Sequence, residues 1–219
     1  MPGAEGPNQG DAMPDRVQID PAVDVEYRSY RAEREVDLPI VMSLVDNELS
    51  EPYSVFTYRY FLSQWPHLCF IAFHAGRPFG VVVGKQERHK HGNERGYIGM
   101  LVVENAYRGY GIGSELVRRC IQVMDERGAE EVVLEAEATN VGAIRLYEKV
   151  GFVRDKRLRR YYLSGLDAYR LKLLLPLKQP IETIGDGQEE MSAAVSAAEL
   201  AALRVDGKQV AGAGGSNGA

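Results

Sequence analysis

The chain has 219 residues, 45% of them apolar and 26% charged, which suits one globular domain with a packed core rather than two. A formal net charge of -5 disfavours a dedicated nucleic-acid binder, DNA included, because such affinity rests on neutralising phosphates. No apolar run approaches the roughly 20 residues needed to span a bilayer. The 2 cysteines, Cys69 and Cys120, lie in apolar settings and form no disulfide framework, so the expected location is the cytosol.

Residues 1–23 carry few large apolar side chains and read as a disordered tail. Residues 178–219 are rich in Gly, Ala, Ser, Glu and Gln and read the same way, which leaves 24–177 as the folded domain. Within it Val25 to Tyr30 is a predicted strand. Glu35 to Leu49 has helical spacing, with Pro39 tolerable in a first turn. Phe56 to Trp65 follows as a short helix. Cys69 to Phe73 and Phe79 to Gln86 are strands joined by the turn Ala75-Gly76-Arg77-Pro78. Gly96 to Val103 is a fourth strand. Ile112 to Glu126 is an amphipathic helix with the apolar stripe Leu116, Val117, Cys120, Ile121 and Met124, closed by Gly128. Val132 to Thr139 is a fifth strand, and Val141 to Val150 a helix between an Asn140 N-cap and Gly151. Phe152 to Leu158 and Tyr169 to Leu175 are the last two strands. A strand, helix, strand run over 97–139 implies two parallel strands joined by a crossover, so the class is α/β with a mixed sheet.

The stretch from Leu101, Val102 and Val103 through Arg108-Gly109-Tyr110-Gly111-Ile112-Gly113 is a strand, a turn and glycines opening a helix. Unpaired N–H groups and the positive end of the helix dipole suit a phosphate there. Glycines let the backbone approach it closely, and Arg108 adds a cation. Taken alone the turn could equally be a tight connection. A dinucleotide-binding fingerprint does not fit, because the glycines come mid-chain after three strands, and a P-loop does not fit, because no Lys-Ser/Thr follows.

Arg108 to Gly113 resembles the R/Q-x-x-G-x-G/A motif with which GNAT acetyltransferases hold the pyrophosphate of acetyl-CoA. Asn140-Val-Gly-Ala143-Ile-Arg-Leu146-Tyr147-Glu148-Lys-Val-Gly151-Phe152, about 30 residues on, is similar to that family's N-x-x-A-x-x-L-Y-E-x-x-G-F motif. Ser50-Glu51-Pro52-Tyr53, Arg95-Gly-Tyr97-Ile-Gly-Met100, Leu134-Glu135-Ala136-Glu137 and Arg154 to Leu163 further resemble the catalytic subunits of NatC-type N-terminal acetyltransferases. Ala136 departs from the usual Leu-Glu-Thr-Glu and removes a hydroxyl beside the site. The resemblance implies a GNAT fold, a mostly antiparallel seven-stranded sheet with a parallel central pair and about four helices. It also implies acetyl-CoA as co-substrate, held by Leu101 to Val103, Arg108 to Gly113, Asn140, Ala143 and Tyr147.

Acetyl transfer to an amine needs a neutral amine, a stabilised oxyanion and a protonated leaving thiolate. An α-amine, with a reference pKa near ~8, is partly neutral at pH 7, so a modest base suffices. Glu135 is the candidate base: it shares a strand face with Val133, Glu137 and Thr139, and repulsion between the two carboxylates, with burial, is expected to raise one pKa. A solvated charged strand face is the alternative. Tyr147 is the candidate acid for the departing sulfur, against an ordinary packing role. The resemblance places the oxyanion near a backbone N–H of Leu101 to Val103. Cys120 lies on the helix stripe and reads as core, so direct attack is expected.

Tyr53, Phe56, Tyr58, Tyr60, Phe61 and Trp65, joined by Tyr161 and Tyr162, make an aromatic inventory, about half of it expected to be packing. The resemblance implies peptide N-termini of nascent proteins as substrates, Met before a bulky apolar residue, bordered by Glu51, Tyr53, Tyr97, Glu137, Tyr161 and Tyr162. It implies a large auxiliary subunit and a small Sm-like one as partners. Arg154, Lys156, Arg157, Arg159 and Arg160 form a basic cluster that is either a solvated edge or a contact for a subunit or the ribosome. The 4 histidines make no ligand set, and no metal is expected. Two rivals stay open: a GNAT enzyme acting on lysine or small amines, and a non-catalytic acyl-CoA-binding subunit.

Overall fold

The computed structural model describes residues 16–48, 53–90 and 92–176. Glu51, most of the expected tails and His91 lie outside the described residues. Seven strands form one sheet: β1 (Val25–Ser29), β2 (Cys69–His74), β3 (Arg77–Arg88), β4 (Glu94–Val103), β5 (Glu131–Glu137), β6 (Val153–Leu158) and β7 (Ala168–Leu174), in the order β1-β2-β3-β4-β5-β7-β6. Only β4 and β5 run parallel; every other pair is antiparallel. Four α-helices complete the described residues: α1 (Leu38–Glu48), α2 (Val55–Gln64), α3 (Ile112–Glu126) and α4 (Val141–Val150).

The helices cover the sheet in two layers. On one face α1 and α2 bury Val41, Leu44, Val45, Tyr58 and Phe61 against Ile71, Val81, Val83, Met100 and Val102. On the other, α3 and α4 bury Leu116, Val117, Cys120, Met124 and Ile144 against Val82, Ile98, Val132 and Leu134. The alternation of each strand sends successive side chains to opposite layers, so strands covered on both faces carry continuous apolar runs such as Cys69 to Phe73 and Val81 to Val83.

Local chemistry explains where the elements differ from expectation. α1 starts at Leu38 rather than Glu35, because Arg34 and Glu35 take positive φ values of 56 and 53°. The buried Asp37 carboxylate then accepts the Arg31 N–H at 2.8 Å and its guanidinium at 2.6 Å. The β2–β3 turn is only Ala75 and Gly76, both with φ > 0, so Arg77 and Pro78 already belong to β3. β5 stops at Glu137 instead of Thr139, whose hydroxyl bonds back to the Glu137 carboxylate. The expected N-terminal tail also ends sooner than residue 23. Val17 N–H donates to the Ala106 carbonyl at 3.3 Å, and Val17 and Ile19 pack on the α3 layer.

One irregularity shapes the functional region. β3 and β4 pair Val83 with Met100 and then Gly84 with Ile98, which leaves Gly99 as the additional residue of a bulge. Glycine is required there, since a Cβ would lie 2.8 Å from the Phe61 ring. β4 and β5 pair only through Arg95↔Glu131, Gly96↔Val132 and Tyr97↔Val133. Past that point β4 stays with β3 and β5 with β7, and the two parallel strands diverge into a wedge.

Candidate active site

The wedge exposes backbone groups that a regular sheet would use. Glu104 N–H donates to the Phe79 carbonyl on β3, at 2.9 Å. Backbone groups alternate edges along a strand, so Val102 also faces β3 while Leu101 and Val103 turn theirs towards the wedge. The Val103 carbonyl, consistent with this, accepts from Arg108 Nε at 2.9 Å. Of the three residues expected to offer an N–H, Leu101 and Val103 are therefore oriented for it. Val102 is a β3 partner with its side chain in the α1–α2 layer.

Beyond Val103 the chain turns through Asn105–Tyr107 into α3. Gly109 and Gly111 hold φ values of 84 and 82°, a region that glycine enters without penalty. α2 and α4 begin under side-chain caps, from Ser54 to Thr57 N–H and from Asn140 to Ala143 N–H, whereas α3 has no side-chain cap. Its first N–H groups and dipole are thus left for an outside acceptor. A Cβ at Gly111 would meet nothing within 4 Å, and one at Gly113 would lie 2.8 Å from Leu146. These residues fit a diphosphate: the turn is open outward at Gly111 and packed tightly behind at Gly113. The Arg108 guanidinium is shared with Glu48. Ile112 is buried, so its contribution there is its backbone. Tyr110 faces the N-terminal segment: its hydroxyl donates to the Val17 carbonyl at 2.8 Å and its ring lies under Arg16 at 4.3 Å.

Glu135 stands on the part of β5 that has left β4, on the α1–α2 side, with its side chain only 3% exposed. Oε1 accepts from Arg170 Nε at 2.8 Å, and the terminal nitrogen of the same guanidinium lies 2.8 Å from it as an ion pair. Oε2 is buried and has no hydrogen-bond partner among the described residues. Glu137 takes its own bond from Thr139, so the two carboxylates have separate partners instead of facing each other unrelieved. Burial, then the negative charge of Glu135, then Tyr161 and Tyr53, and last a hydrogen-bonding approach to the Glu135 carboxylate, push the Tyr97 phenol well above its ordinary range. Those causes also locate the residues: Tyr97, Glu135, Tyr161 and Tyr53 share one neighbourhood.

Tyr147 lies on the other side of the sheet, 7% exposed, with its ring edge-on to Phe152 at 5.8 Å. Burial first and Tyr162 second push its phenol up, so it keeps its proton through the neutral range. Asn140 and Ala143 are engaged with each other as the cap of α4, which fixes the helix that carries Tyr147. The β6–β7 connection brings Tyr161 and Tyr162 in as an edge-on pair 5.2 Å apart, turned by Arg160 and Gly165 at positive φ. Tyr161 reaches the Glu135 side and Tyr162 the Tyr147 side, so the wedge joins a carboxylate on one face to a phenol on the other.

The remaining candidates sort by packing. Tyr58 and Phe61 are core. Tyr60 and Trp65 enclose the Lys85 ammonium, which pairs with Glu87 at 2.6 Å. Phe56 is 73% exposed. In the basic cluster, Arg154 pairs with Glu148 and Arg157 with Asp167. Cys69 and Cys120 are buried free thiols pushed up by burial, Cys120 to about 12, in keeping with a core role. No group of residues able to hold a metal occurs among the described residues. Sequence reasoning missed Arg170. Its only signal was the alternation of Tyr169-Arg170-Leu171-Lys172, which puts a cation on one face of β7 without naming its partner.

A mixed sheet splayed at its one parallel pair, with an uncapped glycine turn beside a carboxylate and a phenol, defines an acyl-transferring enzyme of the GNAT kind. The chain belongs to that family: the model of the Acetyltransferase (GNAT) family matches residues 38–152, more than half its length. Within it the relatives are N-terminal acetyltransferases. The N-alpha-acetyltransferase MAK3 of Arabidopsis thaliana is 57% identical over 164 residues, 75% of this chain and 84% of that protein. N-alpha-acetyltransferase 30 of Saccharomyces cerevisiae is 43% identical over 162 residues, 72% and 91% of the two chains. N-alpha-acetyltransferase 30 of Homo sapiens is 50% identical over 74% of this chain, which spans only 45% of the human protein. Among solved structures, a chain of a NatC complex bound to Gag peptide and CoA superposes with a TM-score of 0.68. It is 42% identical, over 70% of this chain and all of that one. No helix of the described residues is long and apolar enough to cross a membrane.

Proposed function

We propose that the protein acetylates the α-amine of nascent chains beginning with Met and a bulky apolar residue, as the catalytic subunit of a NatC-type complex. The observation that carries this reading is the wedge, with the Oε2 atom of Glu135, buried and unpartnered among the described residues, on one side and Tyr147 on the other. Acetyl-CoA supplies the acetyl group as a thioester. The first turn of α3 and the N–H groups of Leu101 and Val103 hold its diphosphate and its arm, and one of those two N–H groups meets the oxyanion. Glu135 takes the proton from the amine as the C–N bond forms. Tyr147 donates to the sulfur as the C–S bond breaks. Tyr53, Tyr97, Tyr161 and Tyr162 frame the peptide on the Glu135 side, Glu137 belongs to its rim, and Glu51 serves to recognise the N-terminus. The likeness to a chain of a NatC complex supports auxiliary subunits as partners, and a large one, a small Sm-like one and a place at the ribosome belong to this proposal.

The test is transfer from labelled acetyl-CoA to peptides starting Met-Leu, Met-Glu and Ser-Glu, beside an N-terminally blocked Lys peptide. Preference for Met-Leu supports the reading. Preference for the blocked peptide would replace it with a lysine acetyltransferase, and cofactor binding without turnover, with or without the auxiliary subunits, would leave a non-catalytic subunit.

A further inference from the structure

We propose that Arg170 is a positioning residue for catalysis, tying down one oxygen of Glu135 so that the other is presented to the amine. The inference rests on the reading of Glu135 as the base. The two residues are direct cross-strand partners, Glu135 on β5 opposite Arg170 on β7. Their side chains meet at a single oxygen, Oε1, which accepts from Nε at 2.8 Å and lies 2.8 Å from a terminal nitrogen of the guanidinium. The carboxylate is nearly sealed from water at 3% exposure, while the guanidinium is 28% exposed. An ionised carboxylate in that setting needs a partner, and its second oxygen is buried without one among the described residues.

In the structural pair at Glu131, Arg95 likewise grips one oxygen, Oε1, but Lys172 takes the other at 2.9 Å, so both oxygens are engaged. At Glu135 the guanidinium converges on one, and the carboxylate plane is fixed with Oε2 left over. Strand position explains why Arg170 can do this. β7 lies on the far side of β5 from the wedge, so Arg170 grips the carboxylate from behind and leaves the front to the substrate. Its own place is set by a second ladder, with Lys156 of β6 opposite it across β7. Arg170 touches neither substrate nor cofactor; it acts through Glu135.

A double-mutant cycle tests this on the intact chain with whichever peptide it turns over best. Arg170→Met should lower kcat/KM by roughly 10- to 100-fold, mostly in kcat, with CoA affinity unchanged. Arg170→Lys, which keeps the charge and loses the planar grip, should recover only part of it. In a Glu135→Gln background Arg170→Met should cost less than about twofold, because the group it positions is gone. Equal losses in both backgrounds would make Arg170 a structural residue and overturn the proposal, as would wild-type turnover in Arg170→Met. CoA affinity, read separately, reports whether each variant is folded. Absence of turnover in the parent chain would count against the reading of the enzyme, not against Arg170.

Discussion

At the scale of single residues the proposed mechanism separates groups that act from groups that aim. Tyr147 keeps its proton because burial, helped by Tyr162, opposes the phenolate. Its pKa lies above the usual value, so the protonated form persists up to and beyond the ordinary phenol range, and the pH–rate profile should show no alkaline loss from it below about pH 10. Tyr147→Phe keeps the ring that packs on Phe152 and removes only the donor. Steady-state kinetics should show kcat lower by roughly 100-fold or more with little change in melting temperature. Glu135, Tyr147 and the glycine turn were legible in the sequence, because each belongs to a local motif whose spacing survives without a fold. Arg170 was not. It lies 35 residues from Glu135, and their meeting depends on the register of β5 and β7, which a one-residue slip would reverse.

At the scale of elements the wedge needs a fixed closed end, and Glu131 provides it. Its carboxylate, 7% exposed, receives Arg95 of β4 at 2.5 Å, Asn93 at 2.8 Å and Lys172 of β7 at 2.9 Å. Burial pulls its pKa upward, but the bonds from Lys172, Asn93 and Arg95 outweigh it and leave the group at about 2. The folded value lies below the ordinary 4.5, so the stabilisation is complete above about pH 4.5 and is lost as pH falls towards 2. Glu131→Gln should cost about 3 kcal/mol at pH 7, and the gap to the parent should narrow at pH 3, as measured by urea unfolding. The N-terminal segment is a second such device. Arg16 donates to the Arg108 carbonyl at 3.1 Å and Tyr110 reaches back to Val17, so the segment braces the glycine turn. Deleting residues 1–20 should raise KM for acetyl-CoA several-fold and lower the melting temperature. The sequence concealed this, because Val17 and Ile19 are isolated apolar residues in a polar stretch and their burial depends on the α3 layer. α3 and α4, by contrast, have the bounds their apolar stripes and terminal residues indicated, since helix periodicity and capping are local.

At the scale of the whole molecule the sheet is a partition with one opening. α1 and α2 close one face and α3 and α4 the other, and the divergence of β4 from β5 is where a peptide amine and a thioester can meet from opposite sides. The order of elements was readable, and so was the one parallel pair, from a strand, helix, strand run. The opening was not, because it depends on the bulge at Gly99 and on where pairing stops. The central claim, that this opening delivers an acetyl group to an α-amine, has a direct measurement. One peptide beginning Met-Leu and carrying an internal lysine is incubated with acetyl-CoA and the chain, with its auxiliary subunits where they are needed, and fragmentation mass spectrometry locates the acetyl group. The expected result is acetylation of the N-terminus alone, strongly reduced but still measurable in Glu135→Gln. Acetyl on the lysine with the N-terminus untouched would contradict the account.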